Sequence, residues 1–237
     1  MKKIIGILGG MGPEATAYFY KLIVEQTKAE SDQDHIKAII YSNPEIPPRT
    51  DAIQGKGPSP TPYLIEGFRR LKDAGADFVV MPCVTAHYFY PEVKGQVDIS
   101  FVSLLEEAVR WAKKEVPDIG KAGLVASTGT VESKLFHDVF GKPGIKIIHP
   151  EEEEQEQVMD AIYGPKGIKA GSTTGFPKET LVTIAKVLIA RGANAVIAGC
   201  TEVPLVLKDR DIPVSLIEPM RIAARACIIE AGYEVRD

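Results

Sequence analysis

Short apolar runs alternate along this chain with longer stretches in which apolar residues recur every three or four positions. The short runs predict buried strands, and the longer stretches predict amphipathic helices that pack on them. Strands are predicted at residues 4–8, 36–42, 77–81, 99–102, 121–126, 145–148 and 214–217, with one more directly before Cys200. Helices are predicted to open at Pro13 and to cover residues 64–71, 104–112, 179–190 and 219–231. Because parallel strands need a crossover that a helix supplies, this alternation predicts an α/β protein with parallel sheets.

The chain also contains an internal repeat, offset by the 117 residues that separate Cys83 from Cys200. Identical residues recur at this offset: Gly75, Ala76, Val79 and Cys83 match Gly192, Ala193, Val196 and Cys200. The repeat predicts two pseudo-symmetric lobes, residues 1–117 and 118–237, each a parallel sheet flanked by helices, with the active site in the cleft between them. The last strand and helix, residues 212–237, form a segment that can pack back on the first lobe.

Composition and charge exclude several classes of function. The chain has 237 residues, 45% of them hydrophobic and 25% charged, which is typical of a globular protein with a substantial core. Its formal charge of −4, without a long basic run, argues against a nucleic-acid partner. No apolar run approaches the ~18 residues that cross a bilayer, and the N-terminal run meets glycines too early for a secretory signal. We therefore expect a cytoplasmic protein without a membrane partner.

The three cysteines are an odd number in a large domain, so we expect reduced thiols rather than a disulfide framework. Their spacing matches no zinc pattern, and no metal site is predicted. Cys227 lies within a helical apolar pattern and is predicted to be a core residue. Cys83 and Cys200, in contrast, each follow a predicted buried strand, and ligands of parallel α/β sheets gather at the carboxyl ends of strands.

Two thiols related by the repeat could face one ligand from opposite sides. Such a pair suits stereoinversion, because one thiolate removes a proton from a carbon while the other thiol delivers a proton to the opposite face. Thr85 and Thr201 follow the two cysteines at predicted helix starts, where free backbone N–H groups suit a carboxylate. Residues 43–50 form a loop, stiffened by three prolines, that presents Arg49.

Four motifs together make the chain resemble the cofactor-independent aspartate/glutamate racemase family. They are Gly9-Gly10-Met11-Gly12-Pro13-Glu14-Ala15-Thr16, Ile46-Pro47-Pro48-Arg49-Thr50, Pro82-Cys83-Val84-Thr85-Ala86-His87 and Gly199-Cys200-Thr201-Glu202. The resemblance covers nearly the whole chain. It implies two α/β lobes, catalysis by paired cysteines without pyridoxal phosphate or metal, an amino acid as the small-molecule substrate, and a homodimer.

The resemblance also assigns roles to individual residues. Cys83 and Cys200 are expected to be the two catalytic bases, and Arg49 is expected to hold the side-chain carboxylate of an acidic substrate such as aspartate or glutamate. The other expected substrate-binding residues are Met11, Thr85, Lys169 and Thr201, with Lys166 as the alternative lysine. The expected supporting residues are Gly10, Glu202 and His87. Glu202 either keeps Cys200 protonated, relays a proton or caps a helix.

Two positions depart from the family pattern. Val84 stands where the family usually has an asparagine that helps to hold the substrate α-carboxylate, and Pro48 replaces a common aspartate beside Arg49. Two alternatives to an aspartate or glutamate racemase stay open. One is a related enzyme such as a hydantoin racemase, maleate isomerase or arylmalonate decarboxylase, and the other is a non-catalytic two-lobed acid-binding protein.

Overall fold

A computed structural model describes residues 2–236 of the chain, and strands and helices alternate along it. The strands are β1 Ile5–Gly9, β2 Ala38–Ser42, β3 Phe78–Val80, β4 Ser100–Val102, β5 Lys121–Val125, β6 Lys146–Ile148, β7 Ala195–Ala198 and β8 Ser215–Ile217. The helices of the first half are α1 Pro13–Gln26, α2 Arg49–Ile53, α3 Thr61–Asp73, α4 Tyr90–Lys94 and α5 Leu104–Glu115. Those that follow are α6 Thr128–Glu132, α7 Leu135–Gly141, α8 Glu152–Tyr163, α9 Phe176–Ala190, α10 Val203–Val206 and α11 Pro219–Glu230.

The strands form two parallel four-stranded sheets with the same topology. The first has the order β2-β1-β3-β4 and the second β6-β5-β7-β8. In the first sheet Ile5 pairs with Ala38 on one side and with Phe78 on the other, and in the second Ala122 pairs with Ile147 and Ala195. The α/β class with two parallel sheets flanked by helices is therefore confirmed.

The central strands are buried, apart from the exposed Lys121 that begins β5, because helices cover both faces of a parallel sheet. Every residue of β1, β3 and β7 is buried. Around β3 a core cluster joins Leu8, Phe68 and Val79, and it extends to Cys83. A separate core cluster around β7 extends in the same way to Cys200. Each cysteine thus lies at the edge of a packed apolar core.

The 117-residue repeat recurs in the backbone contacts of the two sheets. The Asp77 amide donates to the Ile4 carbonyl at 2.9 Å, and the Asp77 carboxylate accepts from the Ile4 amide at 2.7 Å. At the matching positions the Asn194 amide donates to the Lys121 carbonyl at 3.0 Å, and the Asn194 side-chain oxygen accepts from the Lys121 amide at 3.1 Å. The same side-chain clamp therefore sets the register of β3 on β1 and of β7 on β5.

A glycine in each central strand lets a helix approach the sheet closely. A Cβ atom at Gly6 would lie 3.3 Å from the Cβ of Leu71 in α3 and 2.9 Å from the Cβ of Ala76, and a Cβ at Gly123 would lie 2.9 Å from the Cβ of Leu188 in α9. Real Cβ atoms essentially never come within 3.0 Å of such atoms, so both positions require glycine. The repeat thus preserves the close packing of helix on strand as well as the residue types.

Backbone contacts divide the chain into two units. The first runs up to Glu107 and includes the segment from Met220 onward, and the second comprises Ala108–Pro219. Strand β8 pairs with β7 and belongs to the second sheet, whereas α11 after its first residue groups with the first unit. The boundary at residues 117 and 118 was predicted from the sequence repeat, and it stays a prediction. Among the described helices none is long and apolar enough to cross a membrane.

Several predicted bounds need local corrections; strand β2, for example, begins at Ala38, two residues later than predicted. Arg49 is not within a loop but is the first residue of α2. Pro48 is the last of the three prolines, and residues 49–53 after it form a short helix. Helix α9 begins at Phe176, three residues before the predicted start, because Pro177 is tolerated in a first helical turn. Strand β8 begins at Ser215, one residue later than predicted.

Candidate active site

Cys83 follows β3 and is buried, with 5% of its surface exposed. Its amide donates to the Met81 carbonyl at 2.8 Å, which turns the chain sharply at the end of the strand. A 3₁₀ helix, Thr85–Phe89, begins two residues after Cys83, and its first residue, Thr85, is buried. Val84 is buried too, at 2% exposure, and its side chain offers no hydrogen-bonding group beside Cys83.

His87 holds the backbone of Cys83 and leaves no ring nitrogen for proton transfer. Its Nδ1 lies 2.9 Å from the Cys83 carbonyl oxygen, and the Leu104 amide donates to its Nε2 at 3.1 Å. Because Nε2 accepts, the proton is on Nδ1, which donates to the carbonyl. Burial lowers the pKa of His87 to about 4, so the ring is neutral near pH 7. His87 therefore holds the backbone of Cys83, and its supporting role in the site stays a prediction.

Backbone carbonyl groups hold the Arg49 guanidinium. Nη1 donates to the Ile46 carbonyl at 3.0 Å and to the Pro47 carbonyl at 2.8 Å, and Nη2 donates to the Met11 carbonyl at 3.2 Å. Three of its five N–H donors are thereby used, and the buried Nε has no partner in the part of the chain that the structure describes. A fixed cation with unused donors and neutral partners is suited to bind a carboxylate.

The turn after β1 places Met11 beside this guanidinium. The Gly10 amide donates to the Thr16 hydroxyl at 2.9 Å, and the same hydroxyl donates to the Gly12 carbonyl at 2.9 Å. Gly10 has φ +92°, and a Cβ at this position would lie 2.3 Å from the Asn43 carbonyl carbon. Only glycine therefore lets the turn lie directly against the end of β2.

In the second unit, Cys200 follows β7 and is also buried, with 6% of its surface exposed. Its Sγ donates a hydrogen bond to Oε2 of Glu202 at 2.9 Å. Burial, and then the negative charge of Glu202, raise the pKa of the Cys200 thiol well above its usual value, while Lys169 opposes this effect. Cys200 is therefore a protonated thiol near neutral pH.

Glu202 is a buried carboxylate with a partner on each oxygen. Oε1 forms an ion pair with Lys169, and Oε2 accepts from the Thr201 hydroxyl at 3.2 Å as well as from Cys200. Only 3% of Glu202 is exposed, so this charge depends on these partners. Lys169 lies in a 3₁₀ turn, Ile168–Ala170, and its ammonium is 5.3 Å from the centre of the Tyr163 ring. All four residues expected in this unit therefore belong to one cluster of polar contacts around Glu202: Lys169, Cys200, Thr201 and Glu202 itself.

The structure adds a polar turn that was not predicted as a site. Ser127 and Thr130 are fully buried after β5, and their hydroxyl oxygens are 3.2 Å apart. Gln155 donates to the Ala126 carbonyl at 3.0 Å and to the Thr128 hydroxyl at 3.3 Å, while its buried Oε1 has no partner among residues 2–236. The repeat could have identified this turn, because the 117-residue offset relates residues 127–129 to 10–12.

These side chains can perform acid–base chemistry. Each unit presents a buried cysteine directly after a central parallel strand, with a cation in the same unit, Arg49 in the first and Lys169 in the second. The described residues contain no group of three or more His, Cys, Asp or Glu side chains arranged to hold a metal ion.

Comparison with known proteins identifies relatives over the full length of the chain. The chain is 27% identical to the broad specificity amino-acid racemase RacX of Bacillus subtilis, and the match covers 95% of this chain and 96% of that protein. The structure of Picrophilus torridus aspartate racemase is similar with a TM-score of 0.87 and 28% identity, over 99% of this chain and 96% of that one. An aspartate racemase homologue from Pyrococcus horikoshii is similar with a TM-score of 0.78 and 28% identity, over 98% and 99% of the two chains.

The family model described as Asp/Glu/hydantoin racemase matches residues 8–227. This range includes both cysteine motifs, the Arg49 helix and all eight strands except the first three residues of β1. The chain therefore belongs to the Asp/Glu/hydantoin racemase family.

Proposed function

We propose that this protein is a cofactor-independent amino-acid racemase that inverts Cα of an acidic amino acid, with aspartate as the first candidate and glutamate as the second. Cys83 and Cys200 are the two acid–base groups. In one direction one thiolate removes the Cα proton and the other thiol protonates the opposite face, and in the reverse direction the two exchange roles. The carbanion forms and collapses without a covalent bond to the protein.

One observation carries this proposal: the two buried thiols occupy equivalent positions in two units with the same sheet order. Both follow the third strand position of their sheet, β3 or β7, and both are 5–6% exposed. A single buried cysteine would most often be a core residue. Two buried cysteines related by the repeat offset, each with a threonine one or two residues later, favour a paired function.

The charges of the two sites support an acidic substrate. An aspartate molecule brings two carboxylates and one ammonium group. Within the described residues the Nε–H of Arg49 has no partner, and the groups that accept hydrogen bonds from its guanidinium are all backbone carbonyls rather than carboxylates. A guanidinium binds a carboxylate through two parallel hydrogen bonds, so we assign the side-chain carboxylate to Arg49 and a further carboxylate contact to Lys169. Met11, Thr85 and Thr201 complete the proposed substrate-binding set.

A second candidate is a racemase with a broader range of amino acids. Val84 is buried beside Cys83 and cannot donate to a carboxylate, which weakens selection for one acidic substrate. The similarity to a broad specificity amino-acid racemase points in the same direction. The homodimer implied by the family resemblance is part of the proposal for either candidate.

Exchange of the Cα proton with deuterated solvent tests this proposal. Single enantiomers of aspartate, glutamate, alanine and other amino acids are incubated with enzyme that has been dialysed against a chelator, and deuterium and enantiomer content are measured. We expect exchange with inversion, fastest for aspartate, without added pyridoxal phosphate or metal. A hydantoin and maleate are assayed in parallel, and activity restricted to one of these would indicate the related enzymes instead. The absence of turnover with every compound would contradict an enzymatic function.

A further inference from the structure

The Lys169 ammonium has two competing uses. In the structure it forms an ion pair with Glu202, whose other oxygen accepts the Cys200 hydrogen bond at 2.9 Å. Under the proposed function, on which this inference rests, the same ammonium contacts a substrate carboxylate. One unit of positive charge cannot fully neutralise two carboxylates in a site where Glu202 is almost completely buried.

We propose that the substrate takes Lys169 away from Glu202, and that Glu202 then accepts the proton of Cys200. In this step the Sγ–H bond of Cys200 breaks and an O–H bond forms on Oε2 of Glu202. The products are a thiolate and a neutral carboxylic acid, so the total charge of the pair is unchanged and no solvent proton enters. Substrate binding thereby makes Cys200 available as a base, and the proton held on Glu202 can return to Sγ when Cys200 has to act as the donor.

This step explains how a thiol in such surroundings can become a base. The protonated Cys200 can deliver a proton to a carbanion, but racemisation in the opposite direction requires its thiolate. An ammonium in contact with a carboxylate stabilises the ionised form of that carboxylate, and its departure removes this stabilisation. Lys169 touches Glu202 directly, so its departure favours protonation of Glu202 more than protonation of Cys200.

The neighbouring contacts fit such an exchange. The Thr201 hydroxyl, 3.2 Å from Oε2, stabilises the ionised form of Glu202 before the substrate arrives. The Tyr163 ring, 5.3 Å from Nζ, offers a surface that favours a cation as Lys169 shifts. The Lys169 side chain is partly exposed and has room to move, whereas the Glu202 side chain is buried.

Glu202→Gln tests the inference in a Cys83→Ala background, in which Cys200 is the one remaining candidate base. Glutamine keeps the size of the side chain but neither holds the ammonium by charge nor accepts the thiol proton. We expect aspartate to bind about ten-fold more tightly by calorimetry, because Lys169 no longer has to leave a carboxylate. We also expect Cα deuterium exchange at Cys200 to fall about ten-fold or more at neutral pH. The remaining exchange should rise steadily with pH as solvent removes the thiol proton.

This combination of tighter binding and slower exchange distinguishes the inference from simple structural damage, which would weaken both. Glu202→Asp, which retains the charge on a shorter side chain, should recover part of the exchange. In a Cys200→Ala background, Glu202→Gln should reduce the exchange by Cys83 much less than it reduces the exchange by Cys200. Faster exchange in Glu202→Gln would show that Glu202 only keeps Cys200 protonated, and weaker binding of aspartate would show that Lys169 is not shared. Either result would overturn the inference while leaving the proposed function intact, whereas a wild type that exchanges no amino acid would remove both.

Discussion

Replacing His87 should change how the stability of the protein depends on pH. The ring joins two buried backbone groups, the Cys83 carbonyl and the Leu104 amide, and burial lowers its pKa from 6.5 to about 4. Between these pH values the unfolded chain binds more protons at this site than the folded chain does. The free energy of unfolding therefore falls as the pH falls from about 6.5 toward 4, and the contribution of neutral His87 is complete above 6.5.

The magnitude follows from the two pKa values. At pH 5 the linkage removes about 2 kcal/mol of stability relative to pH 7.5, and the full shift corresponds to roughly 3 kcal/mol. His87→Gln should cost about 1 to 3 kcal/mol at pH 7.5, because glutamine cannot satisfy both backbone groups with the same geometry. At pH 5 this cost should shrink by about 2 kcal/mol, since the variant has no ring to protonate.

Urea unfolding of wild type and variant at pH 7.5 and pH 5 measures this double difference. His149→Gln is the matched control, because His149 is exposed, and its described contacts are a hydrogen bond with the adjacent Pro150 carbonyl and an edge contact with the His137 ring at 5.9 Å. The control should show no comparable change in its cost between the two pH values. An equal cost of His87→Gln at both pH values would refute the assignment of a neutral, bridging His87.

Three further substitutions have expected outcomes. Arg49→Lys should reduce kcat/KM for aspartate more than ten-fold and for alanine much less, because an ammonium cannot replace a guanidinium held by three carbonyls; equal losses would exclude carboxylate recognition. Gly10→Ala should lower the free energy of unfolding by more than about 1 kcal/mol, measured in urea, because of its positive φ and the contact of the new Cβ with backbone; an unchanged value would contradict this. Val84→Asn should lower KM for aspartate about ten-fold by adding a donor for a carboxylate, whereas a loss of activity would make Val84 an apolar specificity contact.

Much of the fold could be predicted from the sequence, because strands and helices leave distinct periodicities. The short runs before Cys83 and Cys200 became β3 and β7, and the repeat became two sheets with one topology. The start of α2 at Arg49 was missed, since three nearby prolines favour a loop and a five-residue helix has no periodicity to detect.

Side-chain partners at long range could not be predicted in the same way. Nothing in the pattern around Lys169 shows that it pairs with Glu202, 33 residues later, or that the Leu104 amide binds His87. These contacts depend on how separate loops meet at the carboxyl end of a sheet. The polar turn at residues 127–130 was predictable in principle, but its residue types differ from those of the matching glycine turn.

The paired action of Cys83 and Cys200 is tested most directly by Cα deuterium exchange in the two single variants. L-aspartate and D-aspartate are each incubated in deuterated water with Cys83→Ala or Cys200→Ala, and both deuterium content and chirality are measured. We expect that neither variant racemises aspartate, and that each exchanges the Cα proton of one enantiomer only, with opposite enantiomers for the two variants. Racemisation in both directions by either variant, at a rate near that of the wild type, would contradict the two-thiol mechanism.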